Sequence, residues 1–191
     1  DVARVERLNR GEIPIHEDGL PELVAEGLES GRLRFVLGAA NAVPESEFVF
    51  LCVPTPQGAD GAADLSFVDR VVREIAQHLR PGSVVINKST MPVGSTRKVQ
   101  RILSEEGASI DEIGVASNPE FLREGAAIND FKRPDRIIVG AEDQRARDAL
   151  AEIYRPLYLN QAPLLFVSRR TAELTKYAAN AFLATKITFI N

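Results

Sequence analysis

Short runs rich in Val, Ile, Leu and Phe alternate along the chain with longer stretches whose apolar residues recur at helical spacing. The short runs, at residues 33–37, 48–53, 83–87, 113–116, 136–139 and 164–167, each predict a β-strand. Several are continuously apolar rather than alternating, as expected of strands buried on both faces of a parallel sheet. Helices are predicted over residues 1–10, 20–29, 66–80, 95–106 and 143–155. Ser66 followed by Asp69 reads as an N-cap with an acid in the first turn, and Pro81-Gly82 closes that helix. Residues 168–191 are different: a long helical pattern rich in Ala and Leu, with no breaker and no stop.

Strands alternating with helices predict the α/β class, as a doubly wound, mainly parallel sheet followed by a long C-terminal helix. Such a sheet usually opens with a strand and a G-x-G-x-x-G turn, which the sequence lacks. The chain also starts without Met and its last helix has no end signal, so both termini read as cuts and the first β-α-β unit as missing. The expected division is residues 1–167 as one incomplete domain and 168–191 as the start of a long connecting helix. Residues 54–64, dense in Gly, Pro, Ala and Asp, form the most flexible-looking loop.

Composition narrows the class further. An apolar share of 45% and a charged share of 26% are those of an ordinary globular protein. The net charge of -4, with Lys and Arg scattered, argues against nucleic acid as a partner. No apolar run approaches the roughly 20 residues of a membrane helix, so no membrane partner is expected. The single cysteine, Cys52, excludes an internal disulfide and a cysteine-rich zinc site, and makes a cytoplasmic setting the default. Cys52 lies within an apolar run and reads as a small core residue rather than a nucleophile. His16 and His78 lie far from the chemistry-bearing segments with no partner in sequence, so no metal site is expected.

Four segments carry candidate chemistry, three of them directly after a predicted strand, where ligands of open α/β sheets bind. In the first, Thr55 is exposed between Pro54 and Pro56, although a Thr-Pro pair also serves simply to stop a strand. In the second, Lys88-Ser89-Thr90 leads into a helix N-terminus at Gly94-Ser95-Thr96, which suits an anion or an ordered water; a capped helix with a solvated turn is the plainer alternative. In the third, Pro119 opening a helical turn would put Glu120 and Glu124 on one face, raising one pKa as a general base requires; solvated surface glutamates are the alternative. In the fourth, Lys176 and Asn180, also four apart, can point at one spot and bind a developing oxyanion, unless the helix merely packs.

In this order, the stretches LNRGEIPIHEDGLPELV, FVFLCVPTPQGADGAADLSFV, VVINKSTMPVGST, SNPEFLREGAAINDF, PDRIIVG and TAELTKYAANAFLATKITFIN resemble the UDP-glucose/GDP-mannose 6-dehydrogenase family. The likeness runs the length of the chain and is nearest to bacterial members acting on UDP-glucose; members acting on GDP-mannose or UDP-N-acetylmannosamine are the alternatives. The resemblance implies a Rossmann-like NAD-binding fold and an NAD-dependent, four-electron oxidation of a UDP-sugar through a thioester, in polysaccharide biosynthesis. It implies cofactor contacts from Arg4, Thr55, Pro56, Gln57, Ser89, Thr90 and Glu124, with Thr90 also ordering a water. Glu120 resembles the base of thioester hydrolysis, and Lys176 with Asn180 the pair that holds substrate and oxyanion. Glu120, Phe121, Leu122, Arg123, Glu124, Lys176 and Asn180 would line the sugar pocket. The nucleophilic cysteine belongs to a later motif, so the chain alone is expected to be inactive, and the final helix to pair two copies in a homodimer. A reading from another class is a non-catalytic binding or oligomerisation module.

Overall fold

The alternation of apolar runs and amphipathic stretches becomes an alternation of strands and helices. In the computed structural model, which describes residues 1–158 and 162–191, they begin with α1 (Val2–Asn9), α2 (Leu20–Glu29), β1 (Phe48–Leu51) and α3 (Ser66–Ala76). There follow β2 (Val84–Asn87), α4 (Ser95–Glu105), β3 (Gly114–Ser117), α5 (Ala127–Lys132) and β4 (Ile137–Gly140). The chain then forms α6 (Gln144–Tyr158), β5 (Leu164–Val167) and α7 (Arg169–Ile190).

The strands lie in the order β1-β2-β3-β4-β5. The pairs β1–β2, β2–β3 and β4–β5 are parallel, while β4 meets β3 antiparallel at Ser117 and Gly140. The mainly parallel sheet is as predicted, and the antiparallel join is new: apolar periodicity says which faces are buried and nothing about strand direction. All four positions of β2 are buried. Val84 and Ile86 pack with Leu150 and Tyr154 of α6, whereas Val85 faces Val72 of α3 and Ile102 and Leu103 of α4. Helices thus cover both faces, which is why β2 is continuously apolar. Each such buried aliphatic side chain contributes about 1.5–3 kcal/mol. β1, at the sheet edge, is mostly half-buried.

Several local expectations are corrected. Residues 33–37 form no strand. Instead of a ladder partner, Phe35 receives the side-chain amide of Asn9, which donates to its carbonyl at 2.9 Å and accepts from its N–H at 3.2 Å. A single amide satisfies one residue and cannot propagate a strand. The strands predicted at 48–53 and 83–87 survive with an end trimmed, those at 113–116 and 136–139 sit one residue later, that at 164–167 keeps its bounds, and α3 stops at Ala76, short of residue 80. Its N-cap position is Leu65, not Ser66, and the N–H of Ser66 donates to the Asp64 carboxylate at 2.8 Å. The loop at 54–64 is closed into a turn, with Gly58 N–H donating to Ala62 O at 2.7 Å and Asp64 N–H to Pro56 O at 2.8 Å.

The first turns of α7 dock on β4 by close approach. Ser168 caps the helix by accepting from Thr171 N–H at 3.1 Å. A Cβ on Gly140 would lie 2.7 Å from Ala172 Cβ and 2.8 Å from Arg169 Cα, so only glycine permits the contact. Further along, Phe182, Leu183, Ile187, Phe189 and Ile190 are exposed. Among the described residues no helix is long and apolar enough to cross a membrane.

Candidate functional site

The C-terminal ends of β1, β2 and β3 converge with α7, and their loops are stitched together by side chains. Thr55 donates its hydroxyl to the carbonyl of Thr90 at 2.9 Å. Ser89 donates back to Val53 O at 2.6 Å. These exchanges close the β1 and β2 loops on each other and spend both hydroxyl protons, leaving oxygen lone pairs as acceptors. Pro56 and Gln57 are exposed, and Gln57 turns away to bridge Ala63 across the small turn.

The loop after β3 holds Glu120. No helical turn starts at Pro119: residues 118–123 form neither helix nor strand, so Glu120 and Glu124 do not share a helix face. Glu120 uses Oε2 to accept from the N–H of Leu122 at 2.6 Å, a local bond that competes with helix formation. Its Oε1 faces Lys176 Nζ at 3.2 Å. Lys176 is 8% exposed, and its ammonium lies 5.4 Å from the Phe121 ring centroid. The Arg136 guanidinium lies 4.4 Å from the same centroid, so cations grip the ring that follows Glu120. Glu124 is exposed at the turn. The Arg123 side chain is taken up by Asp130, with bonds of 3.0 and 2.7 Å. Asn180, a turn beyond Lys176, is exposed on α7. No hydrogen bond or ion pair links Arg4, exposed on α1, to these groups among the described residues.

Beneath this surface lies a polar layer whose roles sequence reasoning missed. Asn118, 1% exposed, is oriented by donating to Ile138 O at 2.8 Å. Its Oδ1 then accepts from Lys88 Nζ at 3.2 Å and from the Tyr154 hydroxyl. Burial lowers the pKa of Lys88 to about 8, opposed by Cys52 and Glu120 and reinforced by Lys176. Burial likewise raises Tyr154 to about 12. Lys88, Asn118, Glu120, Phe121 and Arg136 line one cleft of about 530 Å³. Only spacing could have hinted at this layer, since Lys88 and Asn118 each immediately follow or close a buried strand.

Cys52 is exposed, not a core residue as expected, because it stands just past the edge strand β1. Surrounding protein still raises its pKa, partly offset by Lys88, so the thiol is held protonated and is a poor nucleophile. His16 does have a carboxylate nearby, Asp18 at 4.0 Å, but both are solvent-exposed. Among the described residues no three His, Cys, Asp or Glu side chains form a metal-binding group.

Residues 1–158 match the model of the UDP-glucose/GDP-mannose dehydrogenase family, NAD binding domain. The chain belongs to that family. It is 55% identical to the UDP-glucose 6-dehydrogenase of Rhizobium meliloti and 46% identical to that of Pseudomonas aeruginosa, over 100% of its own length in each case. It spans 44% and 43% of those two relatives. Its structure matches a UDP-glucose dehydrogenase from Pyrobaculum islandicum with a TM-score of 0.93 at 44% identity, covering 100% of this chain and 44% of that one. A GDP-mannose dehydrogenase from Pseudomonas aeruginosa also matches at 0.93, at 34% identity, covering 99% and 44%. The fold is therefore the Rossmann-like NAD-binding fold of these dehydrogenases, and NAD is the family cofactor.

The groups present here fit one end of NAD. Thr55 and Ser89 have spent their protons internally and offer acceptors, which suit the donor groups of NAD, its carboxamide N–H and ribose hydroxyls.

Proposed function

We propose that this chain supplies the cofactor side and the hydrolytic side of a UDP-glucose 6-dehydrogenase. The observation that carries the reading is the Glu120–Lys176 pair, 3.2 Å apart, set beside the acceptor-lined loops of Thr55 and Ser89. When bound, NAD supplies the hydride acceptor. The rest of the chemistry follows from the chain's own side chains. Lys176, buried and positively charged, stabilises negative charge developing on the substrate carbonyl oxygen. Glu120 is held by an ammonium on one oxygen and a backbone N–H on the other, yet keeps lone pairs free to take a proton from an attacking water. Thr90, whose carbonyl is fixed by Thr55, keeps its hydroxyl available to orient that water. Asn180 extends the substrate contacts of α7, and Phe121, Leu122 and Arg123 shape the wall of the sugar pocket. Pro56, Gln57, Glu124 and Arg4 complete the cofactor side, with the thiol nucleophile supplied from outside this sequence.

UDP-glucose is favoured as the sugar because identity to the named UDP-glucose enzymes exceeds that to the GDP-mannose enzyme. Residues 1–167 would act as the NAD domain and residues 168–191 as the start of a helix that pairs two copies. The exposed Phe182, Leu183, Ile187 and Ile190 support that pairing. The lone cysteine fits a cytoplasmic enzyme. The test is the complete enzyme assayed with UDP-glucose, GDP-mannose and UDP-N-acetylmannosamine. Two equivalents of NADH per UDP-glucose are expected, and turnover confined to another sugar nucleotide overturns the reading. The 191-residue chain by itself should form no NADH.

A further inference from the structure

The N-terminus of α4, which by its sequence suits an anion or an ordered water, receives a carboxylate of the chain itself. Glu173 of α7, 4% exposed, accepts from Gly94 N–H through Oε2 at 2.6 Å. Its Oε1 accepts from the N–H and the hydroxyl of Thr96, at 2.7 and 2.6 Å. Among the described residues Glu173 makes no ion pair, so its charge is balanced by the donors and dipole of the first turn of α4. Gly94, at φ 98°, adopts the left-handed conformation that presents its N–H to the carboxylate. Thr96, fully buried, in turn accepts from Asn87 Nδ2 at 3.1 Å, at the end of β2.

This arrangement has a mechanical consequence. Residues 88–93, which include Ser89 and Thr90, run between Asn87 and Gly94; Gly94 is fastened to Glu173 directly and Asn87 through the Thr96 hydroxyl. Lys176 sits one helical turn beyond Glu173 on the same side of α7, and both line a cavity that also touches Ser89 and Thr90. The docking of α7 leaves no slack, because Ala172 is in close contact with Gly140.

We infer that Glu173 is a positioning residue, tying the loop of Ser89 and Thr90 to the turn of α7 that carries Lys176, so that both sides of the site keep one geometry. Its catalytic meaning rests on the function proposed above; the tether itself does not. Glu173 touches none of the reacting atoms and acts through Lys176 and the loop.

The test uses the complete enzyme with Glu173→Gln, Glu173→Asp and Thr96→Val, read by amide hydrogen exchange without ligand and by steady-state kinetics. Glu173→Gln sets an amide N–H₂ against groups that are all donors. Exchange should then quicken about tenfold both at residues 94–96 and around Lys176. Misplacing Lys176 should lower kcat about 100-fold while KM moves less than about threefold. Glu173→Asp keeps the charge with a shorter reach and should recover roughly a tenth of the parent kcat. Thr96→Val, on α4, should quicken exchange around Lys176 although it lies on another element. The inference is overturned if exchange changes at residues 94–96 alone while kcat holds. It is equally overturned if activity is lost only through global unfolding and the Asp variant recovers none. Should the parent enzyme oxidise no nucleotide sugar, the proposed function fails, and the two exchange measurements still decide whether the tether exists.

Discussion

Two regions of this molecule each receive a carboxylate beside α7, and they treat it in opposite ways. At the mouth of α4, Glu173 is buried and both oxygens are engaged by three donors, two of them backbone N–H groups. In the loop after β3, Glu120 is half-exposed, takes one backbone N–H, and faces a lysine ammonium. A carboxylate wrapped by donors on fixed backbone serves to hold elements together. One with an open lone pair toward a cleft can still accept a proton. Enclosure, rather than residue type, separates the anchoring glutamate from the one proposed as a base.

The largest expected effect probes the reactive side. In the complete enzyme, Glu120→Gln keeps the shape and the ammonium contact but removes the base, and should slow thioester hydrolysis by about 10²–10⁴-fold. Mass spectrometry should show accumulated acyl-enzyme after a nearly normal first hydride transfer; reduced NAD affinity with no acyl-enzyme would remove the assignment. Lys176→Met should lower kcat by about 10²–10³-fold, because the oxyanion loses its ammonium. If thermal unfolding shows instead a collapse of the fold, with kinetics of the surviving protein intact, Lys176 belongs with the anchors.

Gly140→Ala tests the anchor that both regions share. The new methyl would meet Ala172 and Arg169, and urea unfolding should show a loss of about 1–3 kcal/mol. An unchanged midpoint would mean that α7 can shift without cost, which would weaken the contrast between the two regions.

The smaller effects concern charge around Glu120. The pKa of Lys88 in the folded protein is lowered from 10.5 to about 8. Between those values the unfolded chain binds a proton that the folded chain does not, so stability from this group rises with pH across that window. Lys88→Met should flatten the rise between about pH 8 and 10, by about 2 kcal/mol. Above pH 10, Tyr154 contributes the opposite slope, because its raised pKa keeps the folded form protonated longer than the unfolded chain. An unaltered pH–stability profile in the variant would show that Lys88 titrates normally. Smallest of all, Arg136→Leu removes a cation from the Phe121 ring and should cost about 0.5–1 kcal/mol, read as a modest rise in KM for the sugar nucleotide.

Much of this was legible along the chain. Continuous apolar runs marked the buried strands, since a strand covered on both faces has no solvent side to mark with polar residues. The strand-end positions of Thr55, Ser89, Thr90 and Glu120 marked out the candidate site, because loops at that edge of a parallel sheet lie together. Lys176 was legible as a cation on the last helix, though not its partner. What the sequence determined by itself was therefore local: element type, buried faces, and the family to which the four segments belong. Tertiary structure alone decided the long-range pairings: that residues 33–37 meet an Asn9 amide instead of a strand, that β4 joins β3 antiparallel, and that Cys52 ends outside the core. It also gave different surroundings to two glutamates alike in kind: Glu120, before Phe121 in a loop, and Glu173, one helical turn before Lys176 on α7. Glu173 reaches Gly94 and Thr96 across more than seventy residues of chain, and no periodicity records which donor a side chain will find once the sheet has closed.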